Sequence, residues 1–282
     1  MTVRVAAWLL LALAAAAAAA LGLRAWNKAR LADASLAARM AQIQPVRDAP
    51  RLDCAALAAQ KPLVLLALGQ SNGGNHGVLE NLALPPVPLF ADGICVAADD
   101  PLPGATGSGG SIWRRLPAAL AERGWSRPVL ISVLAVDSSS IAEWTRADGA
   151  LAAMLARRVQ SMHAQGLAPQ LILWQQGEAD AKAGTTAADY GLGLDRLAAM
   201  LQANGNAAPI VLARSTLCRS VAQPELRSAI AARAAADARF RLGPDTDSLA
   251  AAAYRHDACH LSAAGLARAA QMWAEVIASL SR

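Results

Sequence analysis

The sequence predicts an α/β domain with a central parallel sheet between two layers of helices, preceded by an N-terminal hydrophobic helix. Three observations support this. Short apolar runs alternate with helix-period segments along the second part of the chain. Polar motifs rich in Gly, Ser, Asp and His follow several of these runs. The first apolar run, near the N-terminus, is much longer than the others and carries no charge.

Val5–Leu23 is that long run. As a helix it spans about 28 Å, close to the thickness of a bilayer core. Residues 1–23 are therefore expected to be a signal anchor, with a cleaved signal peptide as the alternative. Residues 24–43 favour helix and extend the run as a stalk. Pro45 and Pro50 mark a linker that closes near residue 52, so the domain is expected over residues 53–282.

Within it, Pro62–Leu68, Pro128–Leu134, Gln170–Trp174 and Ala208–Ala213 are short continuous apolar runs, as buried parallel strands require. Residues 93–97 are a further strand candidate. Helices are expected near 112–123, 149–165, 187–203 and 224–238. The last begins after Ser262, an N-cap residue, with Leu266, Ala269, Trp273, Val276, Ile277 and Leu280 as its buried stripe.

The net charge is +5. Residues 1–51 hold seven basic residues (Arg4, Arg24, Lys28, Arg30, Arg39, Arg47, Arg51) against Asp33 and Asp48, which is the whole excess. The domain itself is balanced and carries no electrostatic footprint for nucleic acid. The four cysteines lack metal-ligand spacing. They allow three pairings; Cys54–Cys95 with Cys218–Cys259 is the one expected, four buried thiols being the alternative. Disulfides would place the domain outside the cytoplasm, in the periplasm or beyond, anchored or secreted after cleavage.

Ser71 follows the first strand, within Gly69-Gln70-Ser71-Asn72-Gly73. The run fits G-x-S-x-G, but an α/β-hydrolase nucleophile follows several strands rather than the first. Asp257 and His260 are three residues apart, so the carboxylate can hold one imidazole nitrogen and leave the other to take a serine proton. His256 is a neighbouring alternative base. Glu178 and Asp180 lack an opposing acidic motif, which disfavours a glycosidase. Cys259 fits a disulfide better than a nucleophile. Trp113, Trp144 and Trp174 lie near the motifs and suit sugar stacking or core packing, the core being preferred for Trp174. Asn75 and His76 suit substrate contact or a solvated loop equally.

Four segments in order resemble the SGNH hydrolase superfamily, in its sialate O-acetylesterase-like branch, which includes acetylxylan esterases. They are Gly69–Asn72, Ser138–Trp144 (similar to G-G-[ST]-S-I-A-E-W), Trp174–Asp180 (similar to W-x-Q-G-E-x-D) and Asp257–His260 (similar to D-x-x-H). The resemblance covers about residues 62–280 and implies a three-layer, flavodoxin-like fold. It makes Ser71 the nucleophile, His260 the base and Asp257 its orienting carboxylate. It implies an oxyanion hole from the Ser71 N–H, a glycine N–H and the Gln176 side chain. Among Gly107, Gly109 and Gly110, Gly110 is favoured and Gly109 is next. Gln70, Asn72, Glu178 and Trp144 are candidate substrate contacts. No cofactor or metal is required. The expected activity is removal of O-acetyl groups from a carbohydrate through an acetyl-enzyme. The alternatives are an O-acetyltransferase using the same triad and a non-catalytic glycan-binding protein. The oligomeric state is left open.

Overall fold

The computed structural model describes the backbone of residues 2–280 and, of these, the side chains of residues 18–24 and 26–280. Two compact units divide at residue 41. The first is a single helix, α1 (Thr2–Met40). Among the described residues no helix is long and apolar enough to cross a membrane, so the expected anchor is not supported. Side chains 5–17 of the Val5–Leu23 run lie outside the described residues.

The second unit is the α/β domain. In chain order it comprises β1 (Arg51–Leu52), α2 (Cys54–Ala59), β2 (Leu63–Gly69), β3 (Val87–Ala91), β4 (Ile94–Ala98), α3 (Ile112–Ala121), β5 (Val129–Ala135), α4 (Ile141–Thr145) and α5 (Ala150–Ala164). It continues through β6 (Leu171–Gln175), α6 (Glu178–Ala183), α7 (Ala187–Ala203), β7 (Ile210–Arg214), α8 (Pro224–Ala236), β8 (Phe240–Asp245) and α9 (Ala263–Leu280). The strands form one sheet in the order β1-β4-β3-β5-β2-β6-β7-β8. From β3 through β5, β2, β6 and β7 to β8 the pairs are parallel; β4 runs antiparallel to both β3 and β1.

The apolar runs become the sheet's centre. Every residue of β2, β5 and β6 is buried, which requires helices on both faces. Helices α3 and α9 pack together, as do α4, α5, α7 and α8. On α9 the stripe Leu266, Ala269, Trp273 and Ile277 is buried, while Leu280 is exposed.

Two sequence expectations change. Residues 44–52 belong to the domain rather than to a free linker. The Gln44 N–H donates to Ala105 O at 2.9 Å, its side-chain amide to Gly107 O at 2.9 Å, and Arg51–Leu52 pairs with β4. The prolines here shape an extended edge segment, a position that needs few N–H donors. Strands β1, β3 and β8 and helices α2, α4 and α6 are additional to the expected elements.

Strand order reverses at β2. The chain places β5 on one side of it and then crosses over to β6 on the other. The carboxyl ends of β2, β5 and β6 thus open together, which is where such sheets bind ligands. Ser71, Ser138 and Gln176 follow those three strands.

Candidate active site

Ser71 begins one turn of 3-10 helix just past β2. The turn is closed by Gly73 N–H to Gln70 O and Gly74 N–H to Ser71 O, both 2.9 Å. Strand β2 must end in glycine, because a Cβ at Gly69 would sit 2.1 Å from the carbonyl oxygen of Gln175. The Trp113 indole N–H donates to Gly73 O at 2.7 Å. Ser71 is 2% exposed, and its hydroxyl has no hydrogen bond among the described residues.

His260 lies on the loop before α9. Its Nδ1 is 2.7 Å from Asp257 Oδ2. The other Asp257 oxygen accepts the N–H groups of Cys259 (2.9 Å) and His260 (2.6 Å). Partial burial pushes this carboxyl up, but the hydrogen bonds from His260 and Cys259 outweigh it and hold the group well below its ordinary range. The expected Asp-His pair is therefore formed. His256 instead directs Nε2 to the carbonyl of His76, 3.2 Å away, and its ring stacks on His260.

Ser71 and His260 line one cleft of about 230 Å³ with Asp137, Ser138, Glu178, Lys182 and Arg219. Asn72 joins the two sides. Its amide donates to Glu178 Oε1 (2.7 Å) and to the carbonyl of Cys259 (3.2 Å). The disulfides are Cys54–Cys95 and Cys218–Cys259, as expected, with no free cysteine. The second ties the His260 loop to the loop after β7. Buried Arg255 adds to this, donating to the carbonyls of Leu249 (2.9 Å), Leu217 (3.1 Å), Thr246 (3.0 Å) and Cys259.

Of the expected oxyanion donors, Gly110, its alternative Gly109 and Gln176 need correction, while the Ser71 N–H stays available. The Gly110 N–H donates to Gly77 O at 2.9 Å, and that of Gly109 to Asn75 O at 2.7 Å. Both are spent on bracing the segment after the nucleophile. Gln176 is fully buried, and its amide faces Asp180 Oδ2 (2.6 Å), Ser139 O (2.9 Å) and Gln70 Oε1 (3.2 Å). Its carbonyl accepts from Tyr190 OH at 2.9 Å. An amide with two hydrogens facing three acceptors has none left for substrate. Gln176 is a strut between β2, β5 and β6.

Ser138 is a candidate donor outside the glycines of residues 107–110. It follows β5, lines the cleft and has φ +53. Its backbone N–H, like that of Ser71, has no acceptor among the described hydrogen bonds. The signal was present in the sequence: Ser138 stands where the G-G-[ST]-S-I-A-E-W segment has its second glycine. Its side chain hides that signal, because the position is a glycine in the segment it resembles.

The candidate substrate contacts also divide. Trp144 is fully buried, donates to Ser139 Oγ at 2.8 Å and packs edge-on against Trp174, so it is core. Gln70 Oε1 accepts Ala179 N–H at 3.0 Å in addition to Gln176. Asn72 is thereby spent on the loops, whereas Gln70, whose side chain is engaged only through Oε1 among the described hydrogen bonds, also lines the cleft. Glu178 lines the cleft; one oxygen accepts from Asn72 and Ser215, and Oε2 is buried without a partner. Burial raises its pKa to about 7 against these hydrogen bonds. Groups able to ligate a metal come together around His260, namely His76, Asp137 and His260, and also His256, Asp257 and His260; of these, Asp137 and His260 line the cleft.

The family described as carbohydrate esterase, sialic acid-specific acetylesterase matches residues 116–279, a span that starts beyond the Ser71 segment. None of the curated proteins matches the chain in sequence. Among solved structures, a protein from Arabidopsis thaliana is similar at TM-score 0.65 and 19% identity, over 78% of this chain and 99% of that one. NanS is similar at 0.52 and 15%, over 78% and 97%. Est24, a carbohydrate acetylesterase from Sinorhizobium meliloti, is similar at 0.51 and 16%, over 77% and 99%. At these identities the structures establish a shared fold. The family match, over more than half of the chain, establishes that the chain belongs to the carbohydrate esterase, sialic acid-specific acetylesterase family and is, with it, a carboxylic ester hydrolase.

Proposed function

We propose that this esterase removes O-acetyl groups from a carbohydrate through a Ser71–His260–Asp257 triad. One observation carries the reading: Ser71, Ser138 and the Asp257-bonded His260 line one cleft, and the N–H groups of Ser71 and Ser138 have no acceptor among the described hydrogen bonds. Asp257 fixes the His260 proton on Nδ1 and leaves Nε2 to accept the Ser71 proton. The Ser71 oxygen attacks the acetyl carbonyl. The N–H groups of Ser71 and Ser138 stabilise the tetrahedral oxyanion, each donor contributing typically ~3–4 kcal/mol. His260 then protonates the departing sugar hydroxyl. Water, deprotonated by the same imidazole, releases acetate and restores Ser71.

The domain functions outside the cytoplasm; the two formed disulfides support that location. The test of function is hydrolysis of a chromogenic acetate ester by the full chain, with free acetate quantified. Ser71→Ala and His260→Ala are each expected to reduce kcat/KM by ~10³ or more. A folded wild type no faster than either variant would refute the triad.

A further inference from the structure

His76 has no part in the hydrolytic steps, yet it lies against His260 with ring centres 5.3 Å apart. A carboxylate oxygen of Asp137 and one nitrogen of each ring lie within 4.8 Å of one another. We propose that His76, Asp137 and His260 form a binding site for a divalent transition-metal ion of the zinc class, and that occupancy blocks the esterase.

The donor set is one that zinc prefers, two imidazoles and a carboxylate, with water free to take a fourth position at the open cleft. The spacing suits it. Imidazole nitrogens about 2.1 Å from a tetrahedral zinc put the two ring centres about 5 Å apart. Both rings already have a hydrogen-bond partner on one nitrogen. His260 Nδ1 is engaged by Asp257 at 2.7 Å, and His76 Nε2 by the Thr106 hydroxyl at 3.2 Å. The carboxylate–histidine pair that orients a catalytic base is also the arrangement that orients a zinc-bound histidine. Thr106 Oγ1 accepts the Asp137 N–H at 2.8 Å, so one hydroxyl positions two of the three ligands. Metal and substrate compete, because the His260 nitrogen that would bind the ion is the one that takes the Ser71 proton. The inhibition rests on the esterase reading; the binding does not.

Binding is measured by titrating the full chain with Zn²⁺ against a chromogenic chelator, and by visible spectra after loading with Co²⁺. Ser71→Ala is included because it removes hydrolysis but no ligand. Wild type and Ser71→Ala are expected to bind one equivalent and to give the intense visible bands of tetrahedral cobalt. His76→Asn and Asp137→Asn are each expected to weaken binding about tenfold or more. Ester hydrolysis by wild type should fall in step with Zn²⁺ occupancy and return on adding EDTA. Absence of stoichiometric binding to wild type would overturn the site. So would binding that survives His76→Asn but is lost in His256→Asn, which would put the ion on the outer His256–Asp257–His260 group. Binding by a wild type that hydrolyses no ester would leave the metal site standing and defeat the esterase reading.

Discussion

Ser71 and His260 face the same cleft but are held by different means. Ser71 sits at the end of the sheet's central strand, buried, with its turn fixed by backbone hydrogen bonds and by Trp113 from α3. His260 sits on a half-exposed loop fixed by cross-links: the Asp257 hydrogen bonds, the Cys218–Cys259 disulfide and the Arg255 guanidinium. The nucleophile is therefore positioned by the same burial that folds the domain, whereas the base is positioned by particular residues added to a loop. Damage to the first should appear as lost folding, and damage to the second as lost turnover in a folded protein.

The sharpest test of the second half is Asp257→Asn. It keeps the side chain's shape but removes the charge and the acceptor that set the His260 tautomer. A fall in kcat of about 10²–10⁴ with little change in melting temperature is expected from steady-state kinetics and thermal unfolding.

The disulfides offer a matched pair, since each closes a loop of sequence separation 41. Chain entropy gives them similar weight, roughly 2–4 kcal/mol each. Replacing Cys54 and Cys95 by serine should lower stability alone. Replacing Cys218 and Cys259 should lower stability by a similar amount and also lower kcat, because only that pair grips the His260 loop. Denaturant unfolding read beside kinetics checks this. Equal effects on kcat would break the distinction between the two halves.

Glu178 lies where the halves meet, and its titration reports on the junction. Its folded pKa of about 7 exceeds the unfolded value near 4.5, so between those values the folded state holds a proton that the unfolded state has released. Stability is therefore expected to fall as pH rises from about 4.5 to about 7, by at most about 3 kcal/mol. Glu178→Gln should flatten that slope in unfolding experiments run across the same range.

The smallest expected effect is at Ser138. A left-handed backbone costs a non-glycine residue about 1–2 kcal/mol. Ser138→Gly should recover up to about 1 kcal/mol of this while keeping activity, since the N–H remains. A tenfold loss of kcat would show that the hydroxyl, rather than the backbone, serves the site.

What was legible in the sequence follows the same division. Strands β2, β5 and β6 are wholly buried, so their uninterrupted apolar runs announced them. Strand β8, Phe-Arg-Leu-Gly-Pro-Asp, lies at one edge of the sheet with half-exposed positions, and its mixed polarity concealed it. Pro45 and Pro50 marked the start of the domain as a linker, although proline suits an extended edge equally well. The Asp257–His260 pair was legible because it is local, three residues apart. The fate of Gln176 was not, because it depends on Asp180, Ser139 and Gln70 converging from three strand ends. Gly110 had the right residue type, but its N–H is spent on Gly77, a contact that no spacing along the chain reveals.

The most direct measurement is covalent labelling of the full chain with a chromogenic phosphonate ester, followed by peptide mass spectrometry. The expected result is stoichiometric modification on Ser71, with loss of ester hydrolysis in proportion to labelling and slow labelling of Asp257→Asn. Complete modification of another residue with loss of activity, or undiminished hydrolysis by Ser71→Ala, would contradict the triad.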